Sequence, residues 1–169
     1  MAKGDGLKTI ERTLLTAIKM ERYGQEFYNW FANSITDRKG KSLLKGLASD
    51  EKEHEAIWSK EYKVICGKAP PAKIDIKIGT KAVEDLFTVE RKRGDKDIIS
   101  KILKLGIEIE QKSIDFYSSK SEKVKDERTK EMLRSMAEVE RGHREALEDN
   151  LFHMKQDGAW WGYHPILDG

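Results

Sequence analysis

One cysteine, Cys66, and three prolines are all that 169 residues contain of either type. A lone cysteine excludes a disulfide framework, a Cys-x-x-Cys redox pair and a thiolate zinc site. Near a helix end it reads as a small apolar residue. Few prolines leave long stretches free to be helical. Net charge is also scarce: 32 basic and 30 acidic side chains leave +2. No Lys/Arg block stands out, so there is no electrostatic case for a nucleic-acid partner. The segment Met1-Ala2-Lys3-Gly4-Asp5-Gly6 lacks the apolar run of a signal peptide, and no stretch reads as a membrane span. The expectation is a cytoplasmic protein that engages neither nucleic acid nor membrane.

What is present is a balance of 38% hydrophobic and 37% charged residues, as expected of one helical domain with charged outer faces. Residues 1 to 6 read as frayed, and a helical pattern starts at Leu7. Leu14, Ile18, Glu21, Gln25, Tyr28, Ala32 and Ile35 alternate steps of four and three, the seam of a bundle helix. Asp37 is a candidate N-cap for a second helix with Leu44, Ala48, Glu51, Trp58, Tyr62 and Ile65 inward and Gly67 at its end. A third, from about Asp97 to Val124, carries Leu103, Ile107, Glu110, Ile114, Tyr117 and Ser121 in the same rhythm. Asp126 caps a fourth with Leu133, Ala137, Glu140, Leu147, Leu151 and Met154 inward and Gly158 at its end.

The predicted domain is therefore a four-helix bundle over residues 1–157, with a crossover at about 67–96. Ile74, Ile76 and Ile78 alternate with polar residues after Pro70-Pro71 and predict a short extended piece. Thr80 predicts a brief helix to about Glu90, and residues 91–96 a charged turn. A connection of this length can cross the whole bundle, so its flanking helices can lie parallel. Residues 158–169 form a tail around Trp160-Trp161, expected to pack on the bundle or on a partner subunit. Trp30, Phe31, Trp58 and Phe87 are assigned to the core.

The two halves repeat. Adding 89 carries Leu14 to Leu103, Glu21 to Glu110, Tyr28 to Tyr117, Glu51 to Glu140 and His54 to His143 without a gap. Four seam positions are thus glutamates where apolar residues belong. An unpaired buried carboxylate takes up a proton rather than stay charged, and four at one depth need cations. Two divalent ions neutralise four carboxylates, and His54 and His143 give each ion one nitrogen. Glu21, Glu51, His54, Glu110, Glu140 and His143 are the candidate metal ligands and catalytic residues. A carboxylate-rich set with few imidazoles suits iron, or alternatively manganese. Tyr28 and Tyr117, two turns past Glu21 and Glu110, are candidate hydrogen-bond donors to the ligand carboxylates, with a core role equally open. His153 and His164 fall outside the repeat and are read as non-ligands.

This pattern resembles the ferritin-like di-iron carboxylate proteins, in which two helices give a Glu each and two a Glu-x-x-His. The segments Ala17–Glu21, Glu26–Tyr28, Ala48–Glu55, Ile107–Glu110, Asp115–Tyr117 and Ala137–His143 are similar to the helices of the rubrerythrin family, over about residues 7 to 156. The resemblance implies an antiparallel ferritin-like bundle and two iron ions, bridged by Glu51 and Glu140, with Glu21 and Glu110 terminal. It implies a non-haem di-iron oxidoreductase that reduces hydrogen peroxide or oxidises Fe(II) with O2 or peroxide. Two departures stand out. Ser113 occupies the place of a further family glutamate, and one cysteine cannot build the family's rubredoxin domain, so electrons would come from a separate donor such as a rubredoxin-like protein. A dimanganese catalase, needing no donor, is the alternative within the fold. A metal-binding or scaffold bundle without turnover, using the Trp160-Trp161 tail, is the alternative of another class. A homodimer is the expected oligomer, with exchange of hairpins through the crossover left open.

Overall fold

A computed structural model describes residues 3–74 and 96–162, with side chains over residues 6–74 and 99–162. The expectations for Ile76, Ile78, Phe87, His164, the helix from Thr80 to Glu90 and the charged turn up to residue 95 lie outside the described residues. Among the described residues there are four helices: α1 (Lys3–Ser34), α2 (Arg38–Cys66), α3 (Lys96–Lys123) and α4 (Glu127–Gln156). They form two hairpins, α1 with α2 and α3 with α4, joined by the long connection.

The breaks between helices follow the local chemistry. The Asp37 side chain accepts from the Gly40 N–H at 2.9 Å, satisfying one free donor at the start of α2. Asp126 does the same at the start of α4, accepting from the Thr129 N–H at 2.8 Å and from its hydroxyl at 2.7 Å. Gly67, at φ 69°, closes α2 in the left-handed conformation, and its N–H donates to the Lys63 carbonyl. At the N-terminus the structure differs from the sequence reading, since α1 begins at Lys3 rather than near Leu7. The apolar pattern marks where the helix packs. Hydrogen bonding along the backbone carries the helix further, past an exposed Gly6 where an added Cβ would meet only open space.

The core has two layers. One holds Phe27, Phe31, Leu43, Leu47, Leu103 and Leu147; the other holds Leu14, Ile18, Trp58, Tyr117, Leu133 and Ala137. Read along each chain segment, α1 and α4 run from the second layer to the first, whereas α2 and α3 run from the first to the second. Each hairpin is therefore antiparallel, and α2 and α3 are parallel, as the crossover length allows. The crossover begins by turning back along α1: the Ala72 carbonyl accepts from Arg22 at 2.8 Å, that of Ile74 accepts from Lys19 at 2.6 Å, and the Ile74 side chain is buried.

Past α4, the chain returns onto the bundle. Asn150, fully buried, accepts from the N–H groups of Trp161 and Gly162 at 3.0 Å each and donates to the Gly162 carbonyl at 2.9 Å. This turns Trp160 into the first core layer, against Gly40 at the start of α2, where a Cβ would stand only 2.3 Å from the indole. Trp161 stays half-exposed and stacks on His153, ring centroids 4.3 Å apart. Phe31 and Trp58 are buried, and Trp30 packs partly buried beside Phe31.

Candidate metal centre

Between the two apolar layers lies one layer of charge. Each helix contributes to it one glutamate, Glu21, Glu51, Glu110 or Glu140, and each is at most 3% exposed. The two shorter-range partners, His54 and His143, sit one turn after Glu51 and Glu140 and reach the same layer. The six residues form two overlapping groups. Glu21, Glu51, His54 and Glu140 bring one ligand atom each to within 4.8 Å of one another, and so do Glu51, Glu110, Glu140 and His143. Glu51 and Glu140 belong to both groups; the other four belong to one each.

The contacts within each group are those of atoms arranged about a common point. His54 Nδ1 stands 3.5 Å from Glu21 Oε2, 3.4 Å from Glu51 Oε2 and 3.4 Å from Glu140 Oε1. His143 Nδ1 stands 3.0 Å from Glu140 Oε2 and 3.5 Å from Glu51 Oε1. His54 Nδ1 and Glu140 Oε1 are buried without a protein hydrogen-bond partner. Buried polar atoms are almost always paired, so these two ask for a ligand that no side chain provides. A divalent cation in each group fits that need, and the absence of sulfur from the set fits hard to borderline metals. Gly24 leaves the room for this arrangement: a Cβ there would lie 3.2 Å from Glu51 Cδ and Cγ.

The tyrosines lie crosswise. Tyr28 of α1 donates its hydroxyl hydrogen to Glu110 of α3, and Tyr117 of α3 donates to Glu21 of α1. Each phenol thus fixes the carboxylate of the opposite hairpin rather than the one on its own helix. Sequence reasoning passed over a further partner, Asp50, whose Oδ2 is 3.3 Å from His143 Nε2. That contact holds the ring with Nδ1 turned inward, toward the carboxylates. The repeat carried a signal for it, because the same shift of 89 places Val139 opposite His54; the two histidines are therefore not held alike. Ser113 is buried on α3, one turn past Glu110. His153 pairs with Asp157 and Trp161, away from the cluster.

Packing four carboxyls together raises the affinity of some for protons. Burial, then the charges of Glu51 and Glu140, push Glu21 and Glu110 well above the ordinary carboxyl value. Burial also pushes Glu51 upward, but the close approach of Glu21, His143 and His54 outweighs it and holds Glu51 ionised. Burial works against a charged His54, yet the carboxyls of Glu140, Glu21 and Glu51 gathered around it carry it up to about 12. His143 is raised as well, burial being outweighed by Asp50, Glu140 and Glu51. Without metal, the cluster neutralises itself with protons.

No helix among the described residues is long and apolar enough to cross a membrane. Comparison with known proteins adds to this geometry. The family model described as Rubrerythrin matches residues 12–151. A solved structure of a hypothetical protein from Pyrococcus furiosus is similar, with a TM-score of 0.74 and 28% identity, covering 91% of this chain and 92% of that one. No match was found among curated proteins. The matched span contains all six of the clustered residues and both tyrosines.

Proposed function

The chain belongs to the rubrerythrin family, and from that premise we propose that its buried cluster holds two iron ions and reduces hydrogen peroxide, or oxidises Fe(II) with O2 or peroxide. The observation that carries this reading is the sharing of Glu51 and Glu140 between two otherwise separate ligand groups. Two shared carboxylates are what a dinuclear site requires and a pair of independent sites does not. In this reading Glu51 and Glu140 would serve both ions, Glu21 with His54 would complete the set that holds one, and Glu110 with His143 the set that holds the other. Two iron ions held there would supply the two electrons that a peroxide takes up.

The chain's own residues set the conditions. Four carboxylates balance the charge of two divalent cations, so the occupied layer is neutral and suits its apolar surroundings. The apolar layers on either side limit water. Tyr28 and Tyr117 hold the outer oxygens of Glu110 and Glu21, so those carboxylates face inward without wandering. Both phenols keep their protons at rest, because burial first, and then the neighbouring glutamates, raise both tyrosines well above their usual value. In the same reading the protein works in the cytoplasm as a homodimer and takes electrons from a separate donor.

The test is metal content of protein purified without added metal, joined to peroxide turnover with and without a reductant. Two iron ions per chain and turnover that depends on reductant support the reading. Manganese with oxygen release from peroxide alone would replace it by a catalase. Metal-free protein that turns nothing over would leave a scaffold.

A further inference from the structure

We propose that Tyr117, Trp58, Tyr62 and Cys66 form a one-sided path along which single electrons reach the cluster from the C-terminal end of α2. The proposal rests on the dinuclear redox reading above. The path starts at the Tyr117 hydroxyl, which donates to Glu21. The Tyr117 ring stacks on Trp58, with centroids 5.4 Å apart and planes at 21°. Trp58, Tyr62 and Cys66 follow at steps of four on one face of α2, where neighbouring side chains meet. Trp58 and Tyr62 are buried in the same core layer, with Cys66 packed partly buried against it. Cys66 stands one helical turn beyond Tyr62, partly buried at the end of the path. All four side chains are oxidisable, and each adjoins the next.

The internal repeat supplies the comparison. The positions that match Trp58, Tyr62 and Cys66 in the second hairpin are Leu147, Leu151 and Lys155. Tyr28 therefore shares its layer with Leu147, and the rings that lead away from it among the described residues pass through Phe27 and Phe31, which are much harder to oxidise than an indole or a phenol. Packing alone does not call for an indole at position 58. A leucine fills the matching place, and the buried Trp58 Nε1–H has no protein partner among the described residues, an arrangement that a structure normally avoids.

The bookkeeping of electrons and protons closes with peroxide as oxidant. Hydrogen peroxide takes two electrons and two protons to become two waters. Each electron passes singly from Tyr117 to the oxidised cluster as the phenol proton shifts to Glu21, from Trp58 to the Tyr117 radical as that proton returns, and from Tyr62 to the Trp58 radical cation. Tyr62 gives its phenol proton to Glu11, whose carboxylate accepts from the hydroxyl at 2.8 Å. With no outside donor, the Cys66 thiol supplies both electrons in two steps and, taking oxygen from water, becomes a sulfenic acid with release of two protons. Burial raises the Cys66 thiol above its usual value, so little thiolate is present to meet peroxide directly.

The test treats iron-loaded full-length protein with hydrogen peroxide in the absence of reductant. Peptide mapping reads oxidation at Tyr62 and Cys66 as the excess over metal-free protein treated alike. The expected result is an excess at both residues in the wild type and its loss in Trp58→Phe, which keeps an aromatic ring but is much harder to oxidise. Metal content is measured in parallel and should be unchanged. An equal excess in Trp58→Phe, or none in a wild type that consumes peroxide, would overturn the path alone. A wild type that binds no iron or consumes no peroxide would overturn the function reading and the path with it.

Discussion

Glu51 and Glu140 touch both ligand groups while Glu21 and Glu110 touch one each, and single substitutions should separate the two kinds. Glu51→Ala is expected to lose both metals, and Glu21→Ala only one, as read by metal content per folded chain. Substitution with alanine avoids leaving a new buried charge, so both variants should fold. The protonation of the empty cluster gives a second expectation. Glu21, Glu110, His54 and His143 all have folded values above their unfolded ones, 4.5 for the carboxyls and 6.5 for the imidazoles. Their stability is fully present below those unfolded values and is lost as pH rises through the folded ones. Glu51 is lowered, so its contribution is present above 4.5 and lost only as pH falls through its folded value. Across about pH 5 to 8 the balance is downward with rising pH, and the Tm of metal-free protein should fall over that range in calorimetry. Metal loading should release protons and flatten the dependence. The six clustered residues were legible because their spacing on single helices is fixed by helical geometry. Asp50 was not, because its partner His143 lies on the other hairpin, and only the break in the repeat at Val139 hinted at it.

At the scale of elements, the four helices and both Asp caps could be read from periodicity and from the residues that interrupt it. The start of α1 could not, since Lys3 to Gly6 carry no apolar side chain to mark a packed face. The tail was legible as aromatic and packed, but its seat was not. The seat is made by Gly40 and Asn150, two residues that signal a turn or an exposed face when met singly. Asn150 ties the backbone of Trp161 and Gly162, and Trp160 then fills the first core layer beside α2. The tail thus pins α4 to the start of α2, across the two hairpins. Trp160→Ala should cost about 3 kcal/mol, as large buried aromatics do when truncated, measured by denaturant unfolding of metal-free protein. Metal stoichiometry should be unaffected, because the charged layer lies further along the helices.

For the whole molecule, periodicity is no direct measure of how the hairpins meet, since it shows that a face is buried and not against what. The crossover length and the order of the two core layers along each helix together resolve it: α2 and α3 run parallel, and the carboxylate layers of the two hairpins coincide. The crosswise tyrosines then have a consequence for assembly. Tyr28 serves Glu110 and Tyr117 serves Glu21, and each ligand group takes one glutamate from the opposite hairpin, so neither hairpin shapes a site alone. Seen this way, the chain is a fused two-fold dimer, and the crossover is a tether whose covalent continuity the site itself does not need. Expressed together as separate pieces, residues 1–74 and 96–169 should co-purify when loaded with metal and part when a chelator removes it, as size-exclusion chromatography would show. Pieces that stay together after chelation would mean that the apolar layers alone join the halves.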